Sequence, residues 1–226
     1  MNKLTQIGLF IISLALFNIG CASLTGFQDG KTIGKENGEV MASLNFSQSP
    51  DLVKLDDNAD TTNSIPFLTF PNIEVSGRYG IIDELDINLK VNTNFNVSLG
   101  AKYQFLGNKS SEFALATGID IATFGLIGGL WNVQIPVYGS YHPKNNISVY
   151  VSPRYVYQFS QFGGLSGWNY LGGNFGALFG KKNKFGFDVG YYKVGTNTTG
   201  RFGMFTFGVG GKFAFGSNFP EYETKY

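Results

Sequence analysis

The sequence predicts an all-β fold: an antiparallel, up-and-down transmembrane β-barrel of about ten strands. Three observations lead there. Apolar and polar residues alternate with period two along most of the chain from 38 to 215, the mark of strands with one apolar and one polar face. The polar faces are mostly Gly, Ala, Ser, Asn and Gln with about one charge per strand, which is undercharged for the exterior of a soluble protein. The composition agrees: 22 Phe and 12 Tyr stand beside 31 Gly and only 7 Pro, and charged residues reach 15%, against roughly a quarter in soluble domains. In a secreted sandwich the apolar faces would pack inward; in a barrel they face lipid and the small polar residues fill the lumen.

The N-terminus reads as an export signal. Lys3 gives a positive start, and IGLFIISLALFNI (7–19) is an apolar run too short for a comfortable transmembrane helix. Residues 1–20 are therefore assigned to a signal peptide, with two cleavages open. In the first, NIGC (18–21) resembles a bacterial lipobox, so that lipoprotein-type cleavage before Cys21 makes Cys21 the lipidation site; Asn18 departs from the Leu usual at that position. In the second, Gly20 and Ala22 supply small residues for ordinary signal peptidase cleavage before Ser23. Cys21 is the only Cys, which excludes an intramolecular disulfide and any Cys-rich metal site. Residues 21–37, including the aperiodic SLTGFQDGKTIGKEN, are expected to form a periplasmic lead-in to a barrel spanning 38–215, with 216–226 as a C-terminal tail.

The strands follow in order. GEVMASLNFS (38–47) puts Val40, Ala42, Leu44 and Phe46 on one face; FPNIEVSGRY (70–79) sets Ile73 and Val75 against Glu74, Ser76 and Arg78. LDINLKV (85–91) and FNVSLGAKYQF (95–105) alternate cleanly across an Asn92–Asn94 turn. SEFALATGIDIATF (111–124), WNVQIPVYGSYH (131–142) and ISVYVSPRYVYQF (147–159) continue the pattern. WNYLGGNFGALFG (168–180) is the least regular; KFGFDVGYYK (184–193) and FGMFTFGVGGKFAF (202–215) complete the ten. Their length suits tilted membrane strands. Short polar links follow strands two, four, six and eight, and longer or more irregular ones, including the acidic 48–66, follow strands one, five, seven and nine. That is the rhythm of periplasmic turns and outer loops, broken only after strand three. Tyr79, Tyr103, Trp131, Tyr141, Tyr157, Trp168 and Tyr191 lie near strand ends, where an interfacial girdle would hold them.

The predicted lumen-lining charges are Glu39, Glu74, Asp86, Asp120 and Asp188 against Arg78, Lys90, Lys102, Arg154 and Lys212. Five of each sign in a narrow barrel favour a salt-bridged plug of side chains over a selective pore, which would show a ring of one sign. Arg154 lies mid-strand, and Asp120 and Asp188, also mid-strand, are its expected partners. A formal charge of +1 gives no argument for nucleic acid. No metal-ligand spacing appears, the Gly clusters lack the strand–turn–helix context of a phosphate loop, and no cofactor is expected. His142, the only His, lies two residues from Ser140 on one face; a Ser–His lipid hydrolase needs an acidic partner as well, and polar filling is the expectation for this pair.

The chain resembles the small outer-membrane β-barrel proteins of diderm bacteria. The signal with its lipobox-like NIGC carries the resemblance, as do RYGIIDELDINLKV (78–91), similar to a strand–turn–strand phrase of such barrels, and GGKFAF (210–215), which fits the glycine-x-x-aromatic-x-aromatic pattern of a last strand. It implies residence in the bacterial outer membrane, contact with its lipids, and delivery to the barrel-assembly machinery through the last strand, 203–215. A tail after Phe215 departs from the usual terminal aromatic. The function expected is structural or surface-interacting with a largely plugged lumen and no enzymatic activity; the alternatives are a narrow porin-like channel and a lipid-modifying hydrolase.

Overall fold

A computed structural model describes residues 23–48, 69–124, 129–160, 167–195 and 202–216. The strands are β1 (Gly38–Gln48), β2 (Thr69–Ile82), β3 (Leu85–Asn92), β4 (Asn96–Leu106), β5 (Phe113–Phe124), β6 (Leu130–Lys144), β7 (Ile147–Ser160), β8 (Trp168–Phe179), β9 (Asn183–Gly195) and β10 (Phe202–Phe215). Each pairs antiparallel with its neighbours in sequence, and β1 pairs with β10, from Gly38 opposite Phe215 to Ser47 opposite Thr206, so the sheet closes into a barrel without an edge. The expected ends differ from these by only a few residues. The signal peptide with Cys21, the acidic loop and the tail beyond Gly216 lie outside the described residues.

The two faces separate completely. Leu99 and Leu171 are 64% and 65% exposed on the outside, while Glu74 and Asp86 are fully buried. Phe, Ile, Leu and Val side chains standing outward from every strand would form an intolerable apolar surface in water, and a normal one in hydrocarbon. The chain is therefore an up-and-down transmembrane barrel, and the soluble sandwich is excluded. Aromatic pairs brace neighbouring strands on this outer face: Phe113 stacks on Tyr141 with centroids 4.6 Å apart, and Phe185 meets Phe213 edge-on at 5.7 Å.

One end of the barrel carries the short links β2–β3, β4–β5, β6–β7 and β8–β9; in outer-membrane barrels such turns face the periplasm. At the other end the β3–β4 link is also short, and its geometry explains how. The Asn92 side-chain oxygen accepts the amides of Asn94 (3.0 Å) and Asn96 (3.1 Å), while Phe95, at φ 57°, donates its amide to the Asn92 carbonyl at 3.0 Å. The Asn side chain thus replaces the ladder bonds that the turn lacks.

The segment expected as a periplasmic lead-in is placed differently, at least over 23–37. It runs through the inside of the barrel, antiparallel to β1. Asn37 and Gly34 sit at the short-turn end, where the Glu36 amide donates to the Gly80 carbonyl at 2.9 Å and the Gly80 amide to the Asn37 carbonyl at 3.0 Å. Ser23 lies buried in the lumen against Glu74 of β2, level with the Asn92 end of β3. Gly80 has to be Gly here, because a Cβ would overlap the Gly34 carbonyl.

Candidate functional site

An irregular strand inside a barrel must satisfy its backbone polar groups without a ladder partner. Inward side chains of the wall do this for residues 23–37. The Leu24 carbonyl accepts from Asn174 of β8 (3.0 Å) and from the Tyr192 hydroxyl of β9 (3.2 Å). The Gly26 amide donates to Asp188 of β9 at 3.2 Å, and the Phe27 amide to the Tyr150 hydroxyl of β7 at 3.0 Å. Lys102 of β4 donates to the carbonyls of Asp29 (2.6 Å) and Lys31 (2.7 Å). The Gly30 amide donates to Ser140 of β6 at 2.9 Å, the Thr32 amide to Gln104 of β4 at 2.8 Å, and the Ile33 amide to Asp86 of β3 at 3.2 Å. Apolar side chains of the segment find their own pockets: Phe27, fully buried, clusters with Met41, Tyr150 and Leu178, and Leu24 with Val156, Tyr170, Tyr192, Val194 and Met204.

All ten charges expected in the lumen are buried there. Register brings Glu39 of β1 directly opposite Arg78 of β2. Arg78 donates from Nε (3.1 Å) and Nη2 (2.7 Å) to one Glu39 oxygen, and its Nη1 lies 3.6 Å from Asp86 of β3. Lys212 of β10 approaches Glu39 at 3.5 Å. Lys90 pairs with Asp120 at 3.8 Å. Lys102 sits 5.0 Å over the Tyr138 ring, a favourable place for a cation.

Arg154 corrects the sequence reading. Neither Asp120 nor Asp188 pairs with it. Its guanidinium reaches Gln134 and Ser152, each at 3.4 Å. Asp120 and Asp188 are each two strands away from β7, and Gln134, directly opposite Asp120 in register, stands between. Asp188 is instead held by donors: the Tyr150 hydroxyl at 2.8 Å, Asn174 at 2.6 Å, and Gly26.

Two further lumen residues were missed in the sequence, one without a signal and one with. Asp29, in the plug, accepts from Lys184 at 3.3 Å and from Ser148 at 3.3 Å; nothing in an aperiodic segment marks it as buried. Tyr150 shares the phase of Ser148, Ser152 and Arg154, so the alternation itself assigns it to the lumen. At the short-turn end the plug is anchored outside the membrane-spanning strands. Asp83 accepts the Lys35 amide at 3.1 Å and pairs with Lys109 at 3.0 Å. The Lys35 amide first, then Lys109, hold its carboxyl below the ordinary carboxylate range.

Ser140 lies 2.9 Å from His142 Nε2. The same Ser140 oxygen takes the Gly30 amide, and the residue is buried under the plug. Among the described residues, no group of three or more His, Cys, Asp or Glu side chains is arranged to hold a metal. Beside the plug, a hollow of about 60 Å³ lies among Asp29, Glu39, Arg78 and Lys184, and one of about 30 Å³ among Leu24, Asn45 and Thr206, sizes suited to a few waters rather than to a solute.

No protein-family model matches the chain, and no curated protein matches it. Solved structures similar to it include the outer membrane protease OmpT from Escherichia coli, 9% identical with a TM-score of 0.41 over 79% of this chain and 96% of that one. Ail, the attachment invasion locus protein of Yersinia pestis, is 12% identical with a TM-score of 0.32 over 80% and 99%. Neisserial surface protein A is 14% identical with a TM-score of 0.30 over 79% and 97%. With its closed ten-stranded sheet, apolar exterior and charged interior, the protein is a small up-and-down transmembrane β-barrel.

Proposed function

We propose that the protein is a structural or surface-interacting outer-membrane barrel that seals its own lumen with residues 23–37. The observation that carries this reading is the set of hydrogen bonds from that segment to side chains of β2, β3, β4, β6, β7, β8 and β9. A segment tied at so many heights and azimuths blocks diffusion along the axis and stiffens the wall. The reading is non-enzymatic: the Ser140 hydroxyl is engaged by a backbone amide and buried, and it offers a substrate no approach. Contact with outer-membrane lipids follows from the apolar exterior, and β10, which includes 203–215 and closes on β1, is the strand offered to the assembly machinery.

One observation favours a second reading, a narrow channel. The plug is not part of the sheet, so its withdrawal would open a lumen lined by charge. Planar-bilayer recording separates the two. The wild type should show no steady current. Gly30→Val should introduce conductance, because a side chain there overlaps the Ala114 carbonyl and forces the plug from the wall. Steady wild-type currents would refute the sealed barrel and favour the channel.

A further inference from the structure

Among the described residues, six buried carboxylates face five buried cations and the part-buried Lys184. Glu39 and Asp86 meet Arg78, Asp120 meets Lys90, and Asp29 meets Lys184. Asp188 is enclosed by three donors. Glu74 differs. It is fully buried, its strand neighbours across the ladder are Ser43 and Asn92, and it receives only two hydroxyls, those of Ser23 and of Thr25 at 2.6 Å. Lys90, diagonal to it in register, is turned to Asp120. A carboxylate fully out of water calls for a cation.

We infer that the mature chain begins at Ser23 and that its α-ammonium group is the cation that pairs with Glu74 inside the lumen. The Ser23 hydroxyl already donates to the Glu74 carboxylate, and the nitrogen of the same residue is the one that cleavage would free. Gly20 and Ala22 are the small residues a signal-peptidase-class endoprotease needs before that bond. In the step, the Ala22–Ser23 C–N bond breaks by hydrolysis. Water supplies the new oxygen on Ala22, which leaves as a carboxylate, and its protons go to the Ser23 nitrogen, which becomes an ammonium.

The inference rests on the lumenal placement of residues 23–37 and not on conduction, so its failure appears in mass or labelling and that of the sealed barrel in current. Intact mass of the protein purified from outer membranes should give a chain starting at Ser23; a chain starting at Cys21, acylated or not, or at any other residue overturns the proposal. The folded protein is then labelled with an amine-reactive ester at neutral pH, and modification of the N-terminal peptide SLTGFQDGK (23–31) is followed. A paired ammonium is a poor nucleophile, so labelling should be on the order of tenfold slower in the wild type than in Glu74→Gln. Equal rates overturn the pairing. If Glu74→Gln does not fold, the wild type itself decides: the N-terminal peptide should label more slowly in the folded protein than after heat unfolding, and equal rates overturn the pairing.

Discussion

The Tyr150 hydroxyl on β7 donates to the Asp188 carboxylate on β9 at 2.8 Å. The same oxygen accepts the Phe27 amide of the plug at 3.0 Å. One side chain thus orients a buried carboxylate and fixes the middle of the plug to the wall. Asp188 completes the clamp by accepting the Gly26 amide one residue away.

Tyr150→Phe keeps the ring in the Phe27 cluster and removes only the hydroxyl. It leaves the Phe27 amide and one Asp188 oxygen without their partner, at a cost of about 1–3 kcal/mol. The temperature at which the compact barrel shifts on unheated-versus-heated gels should fall accordingly. An unchanged shift temperature would show that the clamp does not hold the plug.

Arg78 and Arg154 are both buried guanidiniums, yet they should respond unequally to replacement by Met. Arg78→Met takes the ion-pair partner from Asp86 and leaves Glu39 with Lys212 alone, and should cost roughly 3–5 kcal/mol, the usual loss when one member of a buried pair is removed. Arg154→Met strands no ion pair and should cost no more than about 1 kcal/mol. Urea midpoints of the refolded proteins measure both. Equal losses would mean that Arg154 is paired in the native state.

These two arginines also show what the sequence discloses. Strict alternation placed both in the lumen, and with them every charge expected there, because a lumen-facing residue is marked by its phase alone. Phase and depth give height within the barrel but not azimuth. Asp120 and Asp188 are mid-strand like Arg154, yet each lies two strands away, Asp120 across Gln134 of β6 and Asp188 across Gly176 of β8. The plug was illegible for a different reason. Residues 23–37 have no period because their partners are side chains from seven strands rather than one adjacent ladder. Three glycines at intervals of four, Gly26, Gly30 and Gly34, were the trace of close approach to the wall. The ten strands were readable because every one of them faces lipid on one side and polar contacts on the other.

Lys102 should act as a tether for the lower plug. Its ammonium serves the Asp29 and Lys31 carbonyls together. Lys102→Met should cost about 2 kcal/mol, within the range for hydrogen bonds to a charged group. It should speed amide exchange at Gly30 and Thr32 before exchange in the strands changes. Uniform exchange across barrel and plug would contradict a local tether.

Acid should loosen the plug first at its short-turn anchor. The Asp83 carboxyl is held below its ordinary range in the folded state, chiefly by the Lys35 amide and then by Lys109. A depressed value means the anchor contributes fully above the unfolded carboxylate value of about 3.9 and is lost as pH falls through the lower folded value. Exchange of the Lys35 amide should therefore accelerate in that acid window beyond the intrinsic rate. Asp83→Asn should remove this pH dependence; if it persists in the variant, another group is responsible.

The central claim is that residues 23–37 fill the lumen. The most direct measurement uses Met methyl groups as reporters, because Met41 on β1 lies in one cluster with Phe27, and Met204 on β10 in the other with Leu24. In the protein refolded into nanodiscs with [13C]methyl-labelled Met, nuclear Overhauser contacts should appear from the Met41 methyl to an aromatic ring that vanishes in Phe27→Leu, and from the Met204 methyl to a Leu methyl that vanishes in Leu24→Ala. Met41 and Met204 methyls that contact only wall residues and water, unaltered by either substitution, would contradict it.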